Sequence, residues 1–256
     1  MQNNNFRKKE KRGNESYSNT EELLKKNILG VGVTSASKEN ILEYIINSLS
    51  KKGKPYYIVT PNPEIIVLSH KNKDFQQVLN NAKLALNDGV GVSIAAQIMG
   101  KPLKQRFSGV ELMERLCEKG NDWPITVGFL GGGPKVAEMA AECLKQQYPG
   151  LKVVFAQQEW DEDVQKMDIL FVAFGAPKQE FWMAEHVGKI PVKVMVGVGG
   201  AFDQIVNPSL RPPRMVQNVG LGWLYRLVRQ PWRIKRQLAL IEFIGMVIKH
   251  VISKRS

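Results

Sequence analysis

Apolar residues in this chain fall in short runs separated by longer amphipathic stretches, and the alternation begins near residue 28. Ile28-Leu29-Gly30-Val31-Gly32-Val33 reads as a first strand, and Ser37 as the cap of a helix reaching Ser50. Tyr56 to Thr60 is a second strand, closing on Pro61-Asn62-Pro63-Glu64 before a helix that carries Ile65, Ile66 and Leu68. A helix from Asp74 to Asn81 leads into Leu84-Leu86, a run long enough for a buried strand. A helix from Ser108 to Glu118 precedes a strand at Ile125–Leu130, and Gly131-Gly132-Gly133-Pro134 opens a helix through Gln147. Lys152–Ala156 and Ile169–Phe174 are strands, the second ending on Gly175-Ala176-Pro177-Lys178-Gln179-Glu180 and a helix. Val192–Val196 is the last strand and ends on Gly197-Val198-Gly199-Gly200. Strands alternating with helices predict an α/β fold with a mainly parallel, doubly wound sheet.

After Asn207 the strand pattern stops. Leu221, Trp223, Leu224, Leu227, Val228, Trp232 and Ile234 are spaced as on helices and interleaved with arginines, and Leu238 to Ile248 is apolar apart from Glu242 and Gly245. That last run is too short to span a bilayer, which takes about 20 apolar residues. Residues 1–22 are rich in Asn, Lys and Ser and read as disordered. The chain thus divides into a basic N-terminal extension (1–26), an α/β body (27–207) and a C-terminal basic helical appendage (208–256).

The net charge of +12 sharpens this division. Residues 27–210 carry 19 basic and 19 acidic side chains, whereas residues 211–256 carry ten basic side chains against Glu242 alone. A neutral body with a basic tail calls for a polyanion: nucleic acid, an anionic membrane or a pyrophosphate. The neutral body and the lack of a nucleic-acid motif argue against the first. Cys117 and Cys143 lack CxxC spacing and read as reduced core thiols, and the first thirty residues hold no apolar run of signal-peptide type. A cytoplasmic protein is expected.

Candidate chemistry gathers at strand ends. Asn87-Asp88-Gly89-Val90-Gly91 places a carboxylate at the end of an apolar run, beside glycines that admit close backbone approach, and Arg106-Phe107-Ser108-Gly109 follows. Asp88 is either a general base or the cap of a helix beginning near Val90. The corners at Gly131-Gly132-Gly133, Gly175 to Glu180 and Gly197 to Gly200 each put bare N–H groups near a helix start, where a phosphate is favoured. Each alone is a plain turn, and three on one sheet edge suggest a nucleotide-diphosphate site. None is a GxGxxG followed by a ribose-binding acid, so a dinucleotide site is not indicated. Thr60-Pro61-Asn62-Pro63 is stiffened by two prolines, as suits either sugar-reading side chains or a helix start. Asp161-Glu162-Asp163 is a DxD, a sequence that can hold a metal, but it reads better as the acidic first turn of a short helix. His70, His186 and His250 have no zinc-site spacing.

Taken together, Thr60-Pro-Asn-Pro-Glu64, Asp88-Gly-Val-Gly91, Arg106-Phe-Ser-Gly109, Phe129-Leu-Gly-Gly-Gly133, Phe174-Gly-Ala-Pro-Lys-Gln-Glu180, Gly197-Val-Gly-Gly-Ala-Phe-Asp203 and Gly222-Trp-Leu-Tyr-Arg-Leu227 resemble the WecG/TagA/CpsF glycosyltransferases, in order, from Ile28 to Gln237. Within the family the set is most similar to the N-acetylmannosaminyltransferases of wall teichoic acid synthesis, while other members transfer N-acetylmannosaminuronic acid or glucose. The resemblance implies a Rossmann-like domain and an inverting, metal-independent transfer from UDP-N-acetylmannosamine to a polyprenyl-diphosphate-linked GlcNAc, with no cofactor. It places the base on Asp88, an active-site arginine on Arg106, sugar-binding groups on Thr60 and Asn62, and a conserved glutamine beside the donor on Gln179. Gly131, Gly132, Gly133, Glu180 and Gly199 are the accompanying donor-side candidates. The resemblance also implies an appendage that reaches the anionic inner leaflet and closes over the site. Arg214, Arg226 and Arg233 are its candidates for gripping the acceptor pyrophosphate. The oligomeric state stays open.

Overall fold

The computed structural model describes residues 23–51, 53–213, 215–216, 221–231 and 234–253. The N-terminal stretch read as disordered lies outside them, as does Trp232. The expected first strand is a hairpin: β1 (Lys25–Ile28) and β2 (Val31–Thr34) pair antiparallel with Ile28 opposite Val31. Leu29 and Gly30 sit at φ 52° and 92°, the positive-φ pair that a tight two-residue hairpin turn requires. An unbroken apolar run conceals such a turn. Asn80 fixes it from outside: its Oδ1 accepts from the Gly32 N–H at 2.8 Å and its Nδ2 donates to Gly30 O at 2.9 Å.

α1 (Lys38–Ser50) begins at Ser37, whose Oγ accepts from the Asn40 N–H. There follow β3 (Tyr56–Val59), α2 (Pro63–Lys71), α3 (Lys73–Asn81), β4 (Leu84–Ala85), α4 (Val90–Ile98), α5 (Gly109–Asp122), β5 (Thr126–Gly131) and α6 (Val136–Gln147). β6 (Lys152–Gln157), β7 (Met167–Ala173), α7 (Lys178–His186), β8 (Val192–Gly197) and α8 (Ala201–Val206) complete the body. β3 to β8 form one sheet in the order β4-β3-β8-β7-β5-β6, every pairing parallel. This is a Rossmann-like, doubly wound sheet.

Alternation along each strand feeds two cores. Ile169 and Phe171 point to one face, with Ile45, Leu116 and Phe202; Leu170 and Val172 point to the other, with Ile66, Phe75, Leu79 and Met183. Phe129 stacks obliquely between Phe171 and Phe202, with ring centroids 5.4 and 5.5 Å away. Truncating such a ring to alanine costs about 3–5 kcal/mol. α1, α5, α6 and α8 cover the first face, and the hairpin, α2, α3, α4 and α7 cover the second.

One connection departs from expectation. β6 returns to β7 through residues 158–166 without a helix, so Asp161-Glu162-Asp163 is not a helix start. The Asp163 N–H donates to Asp161 Oδ1 at 3.0 Å, a local side-chain bond that competes with helix formation. Trp160 anchors the crossover between Phe155 and Trp182, with centroids 5.4 and 5.7 Å away.

Beyond a 3-10 turn at Pro208–Leu210 lie α9 (Gly222–Arg229) and α10 (Ile234–Ser253). α10 docks Phe243 and Val247 into the second core, and its Glu242 pairs with Lys71 on α2 at 2.6 Å. Among the described residues no helix is long and apolar enough to cross a membrane.

Candidate active site

With all six strands parallel, every loop that leaves a strand for its helix emerges on one edge, and that edge is a cleft of about 1870 Å³. Small-molecule sites usually measure roughly 300–1,000 Å³, so this one has room for two substrates. Asp88 and Arg106 both line it. Their proximity comes from the backbone. The Leu86 N–H donates to Val59 O at 2.8 Å and the Asp88 N–H to Pro61 O at 3.1 Å, which extends the β3–β4 ladder three residues past β4. The Phe107 N–H then donates to Asn87 O at 3.0 Å and ties the Arg106 segment to the same strand end. α4 has Gly89 as its N-cap, with no side-chain cap bond, so Asp88 is not the cap of that helix.

Thr60 and Asn62 reach the same cleft, each with a structural bond already made. Thr60 Oγ1 donates to Gly197 O at 3.0 Å and joins the ends of β3 and β8. Asn62 Oδ1 accepts from the Ile65 N–H at 3.0 Å as the cap of α2, with Pro63 in its first turn. The helix-start reading of this segment therefore holds, and the Asn62 amide Nδ2 keeps bonding capacity for a ligand.

The glycine corners after β5, β7 and β8 also line the cleft through Gly132, Gly133, Gly175 and Gly199. Gly131 stands behind them at φ 102°, where a Cβ would come within 2.9 Å of the Ala173 carbonyl carbon. Gln179 is 2% exposed and engaged at both ends of its amide: its Oε1 accepts from the Gly199 N–H at 3.0 Å and its Nε2 donates to Glu180 Oε1 at 2.8 Å. Gln179 thereby holds the β8 corner in place. Glu180 has no exposed surface and does not line the cleft, to which its bond with Gln179 connects it. Burial pushes its carboxyl up to about 7, partly offset by the Gln179 bond, and its Oε2 has no hydrogen-bond partner among the described residues. α2, α4, α5, α7 and α8 all begin at this edge, so the positive ends of their dipoles converge where an anion would bind.

A profile described as the glycosyl transferase WecG/TagA/CpsF family matches residues 26–256. The chain belongs to this family. Curated relatives agree. The chain is 32% identical over 208 residues to an N-acetylglucosaminyldiphosphoundecaprenol N-acetyl-beta-D-mannosaminyltransferase of Bacillus spizizenii, covering 78% of this chain and 81% of that protein. It is 30% identical over 250 residues to a protein of the same name from Staphylococcus aureus, covering 92% and 95%. This WecG/TagA/CpsF chain is accordingly a glycosyltransferase, and its cleft is where the transfer chemistry is to be sought.

The appendage completes the cleft with residues that were not among the expected site residues. Arg211 lines it and is held by Glu114 on α5 through two bonds, Nη1 to Oε1 at 2.5 Å and Nη2 to Oε2 at 2.8 Å. One of the tail's positive charges is thus matched by the body. Trp223 on α9 and Leu240, Ile244 and Ile248 on α10 also line it, as does Asp203 on α8. Their signal was present as an i, i+4 pattern in α10, but period alone does not say which face meets a ligand. Arg214 and Arg233 lie outside the described residues, as does the side chain of Arg226. Among the described residues no group of three or more His, Cys, Asp or Glu could hold a metal ion.

Proposed function

We propose that this glycosyltransferase moves N-acetylmannosamine from UDP-N-acetylmannosamine to GlcNAc-diphospho-undecaprenol, forming a β-1,4 linkage with inversion, as an early step of wall teichoic acid linkage-unit synthesis. The observation that carries the reading is the meeting of Asp88 and Arg106 in one cleft with the three glycine corners, in a chain whose relatives are named for this acceptor and this sugar. Asp88 takes the proton from the acceptor hydroxyl as its oxygen attacks the anomeric carbon from the face opposite UDP. A single displacement inverts the centre, so a second carboxylate nucleophile is not needed. Negative charge develops on the departing diphosphate, and Arg106 with the helix N-termini and the Gly132, Gly175 and Gly199 corners stabilises it. Thr60 and Asn62 orient sugar hydroxyls, and Gln179 fixes the corner that faces the donor.

The acceptor stays in the bilayer, so we assign the enzyme a peripheral place on the inner leaflet. Ile234, Leu238 and Ile241, 57%, 65% and 69% exposed on the outer side of α10, supply apolar insertion, and the basic tail supplies attraction to anionic lipid. The deciding experiment is turnover on a GlcNAc-diphospholipid with a panel of UDP-sugars. Preference for UDP-N-acetylmannosamine is the expected result. Preference for UDP-glucose or UDP-N-acetylmannosaminuronic acid would keep the chemistry and replace the donor, and no transfer from any UDP-sugar would overturn the reading.

A further inference from the structure

Past Asp88 the cleft continues as a trough between α4 and α10. Ile94 and Ile98, one turn apart on α4, form one wall and are 53% and 57% exposed. Ile244 and Ile248 on α10 form the other and are 51% and 55% exposed, with buried Phe243 and Val247 between them as the floor. None of the lining residues that these two helices contribute is charged. The one acid within this part of α10, Glu242, is turned away to Lys71 on α2. The trough meets the polar end of the cleft at the first turn of α4, where a Cβ on Gly91 would lie 3.9 Å from Leu240. From there to Ile252 it runs twelve residues of helix, about 18 Å.

An apolar trough this exposed is a poor ending for a polar cleft unless a chain fills it, because apolar surface left in water is unfavourable in proportion to its area. We propose that it binds the prenyl chain of the acceptor, taking the isoprene units nearest the diphosphate and so setting how far the sugar hydroxyl reaches toward Asp88. The inference rests on the acceptor class proposed above. The continuity of the trough with the polar cleft favours this occupant, since a prenyl diphosphate has the same sequence of polar and apolar parts. The bilayer is a separate contact. Ile234, Leu238 and Ile241 lie on the side of α10 opposite Phe243 and Val247, so a chain can pass from lipid over the helix into the trough.

Equilibrium binding of farnesyl diphosphate to the full chain, free of membrane and of any transferable sugar, tests the trough independently of the reaction. Ile94→Asn/Ile244→Asn should weaken binding by roughly tenfold or more, about 1.4 kcal/mol or above. Leu238→Asn/Ile241→Asn should leave that binding unchanged and weaken attachment to anionic vesicles. Circular dichroism establishes that both variants fold, and if the first pair does not, Ile94→Ser alone is measured in its place. Failure of wild type to bind farnesyl diphosphate, equal binding by all variants, or loss of vesicle attachment alone in the trough variant would each overturn the proposal. Prenyl binding at the trough without transfer from any UDP-sugar would sink the proposed reaction and leave the trough standing.

Discussion

At the scale of single residues, the cleft separates groups positioned for chemistry from groups that hold them there. Asp88 is delivered by a strand end and a backbone bond to Pro61, and it is not used as a helix cap. Asp88→Asn preserves shape while removing the proposed base. We expect kcat to fall by roughly 10²–10⁴ while UDP affinity, measured by calorimetry, stays near wild type. Near-normal turnover in the folded variant would exclude Asp88 as the base. Glu180 acts at one remove. Its folded pKa, about 7, lies above the ordinary 4.5, so between those values the folded protein holds a proton that the unfolded chain has released. Stability therefore falls as pH rises through that window and levels off above it. The shift corresponds to at most about 3 kcal/mol. Glu180→Gln keeps the acceptor for Gln179 and cannot ionise. Urea unfolding at about pH 5 and about pH 8 should show a smaller drop in the variant than in wild type. An unchanged drop would mean that Glu180 does not titrate in that range.

At the scale of elements, the loops matter more than the strands they follow. The 158–166 crossover shows how an acidic triplet can mislead: Asp161 closes a local turn, and the triplet does not line the catalytic cleft. Changing both Asp161 and Asp163 to Asn should leave transfer within about twofold of wild type, and EDTA should not abolish it; surface substitutions of this kind are usually near neutral. Strict dependence on Mg²⁺ or Mn²⁺, or loss of activity in the double variant, would reverse that assignment. The appendage is the contrasting element. Glu114 clamps its beginning through Arg211, and Lys71 with the second core holds its last helix.

At the scale of the whole molecule, the basic excess and a long series of exposed apolar side chains both belong to the appendage, while the body is neutral. Anionic vesicle binding should weaken as salt rises from low to physiological concentration, because exposed charges are screened over about 8–10 Å. Flotation assays over a salt series measure this, and salt-insensitive binding would assign attachment to the exposed isoleucines alone.

Local sequence sets the alternation of strands and helices, the placing of Asp88 and the glycine corners at strand ends, and the basic excess of the tail. Those features are local in cause: side-chain period sets the element, and Gly, Pro and Asn set the turns. Packing across the chain sets the rest, beginning with the Phe107–Asn87 backbone bond that brings Arg106 to the strand end of Asp88. The turn at Leu29-Gly30 hides inside an apolar run, because Leu29 carries no turn signature and the reversal is secured by Asn80, fifty residues away. Gln179 and Glu180 are adjacent in sequence, yet one faces the cleft and the other has no exposed surface, since a helix's first turn points neighbouring side chains in different directions. The trough between α4 and α10 exists only because two helices more than a hundred residues apart lie side by side. Apolar periodicity marks a face as able to be covered; which surface covers it depends on packing across the chain.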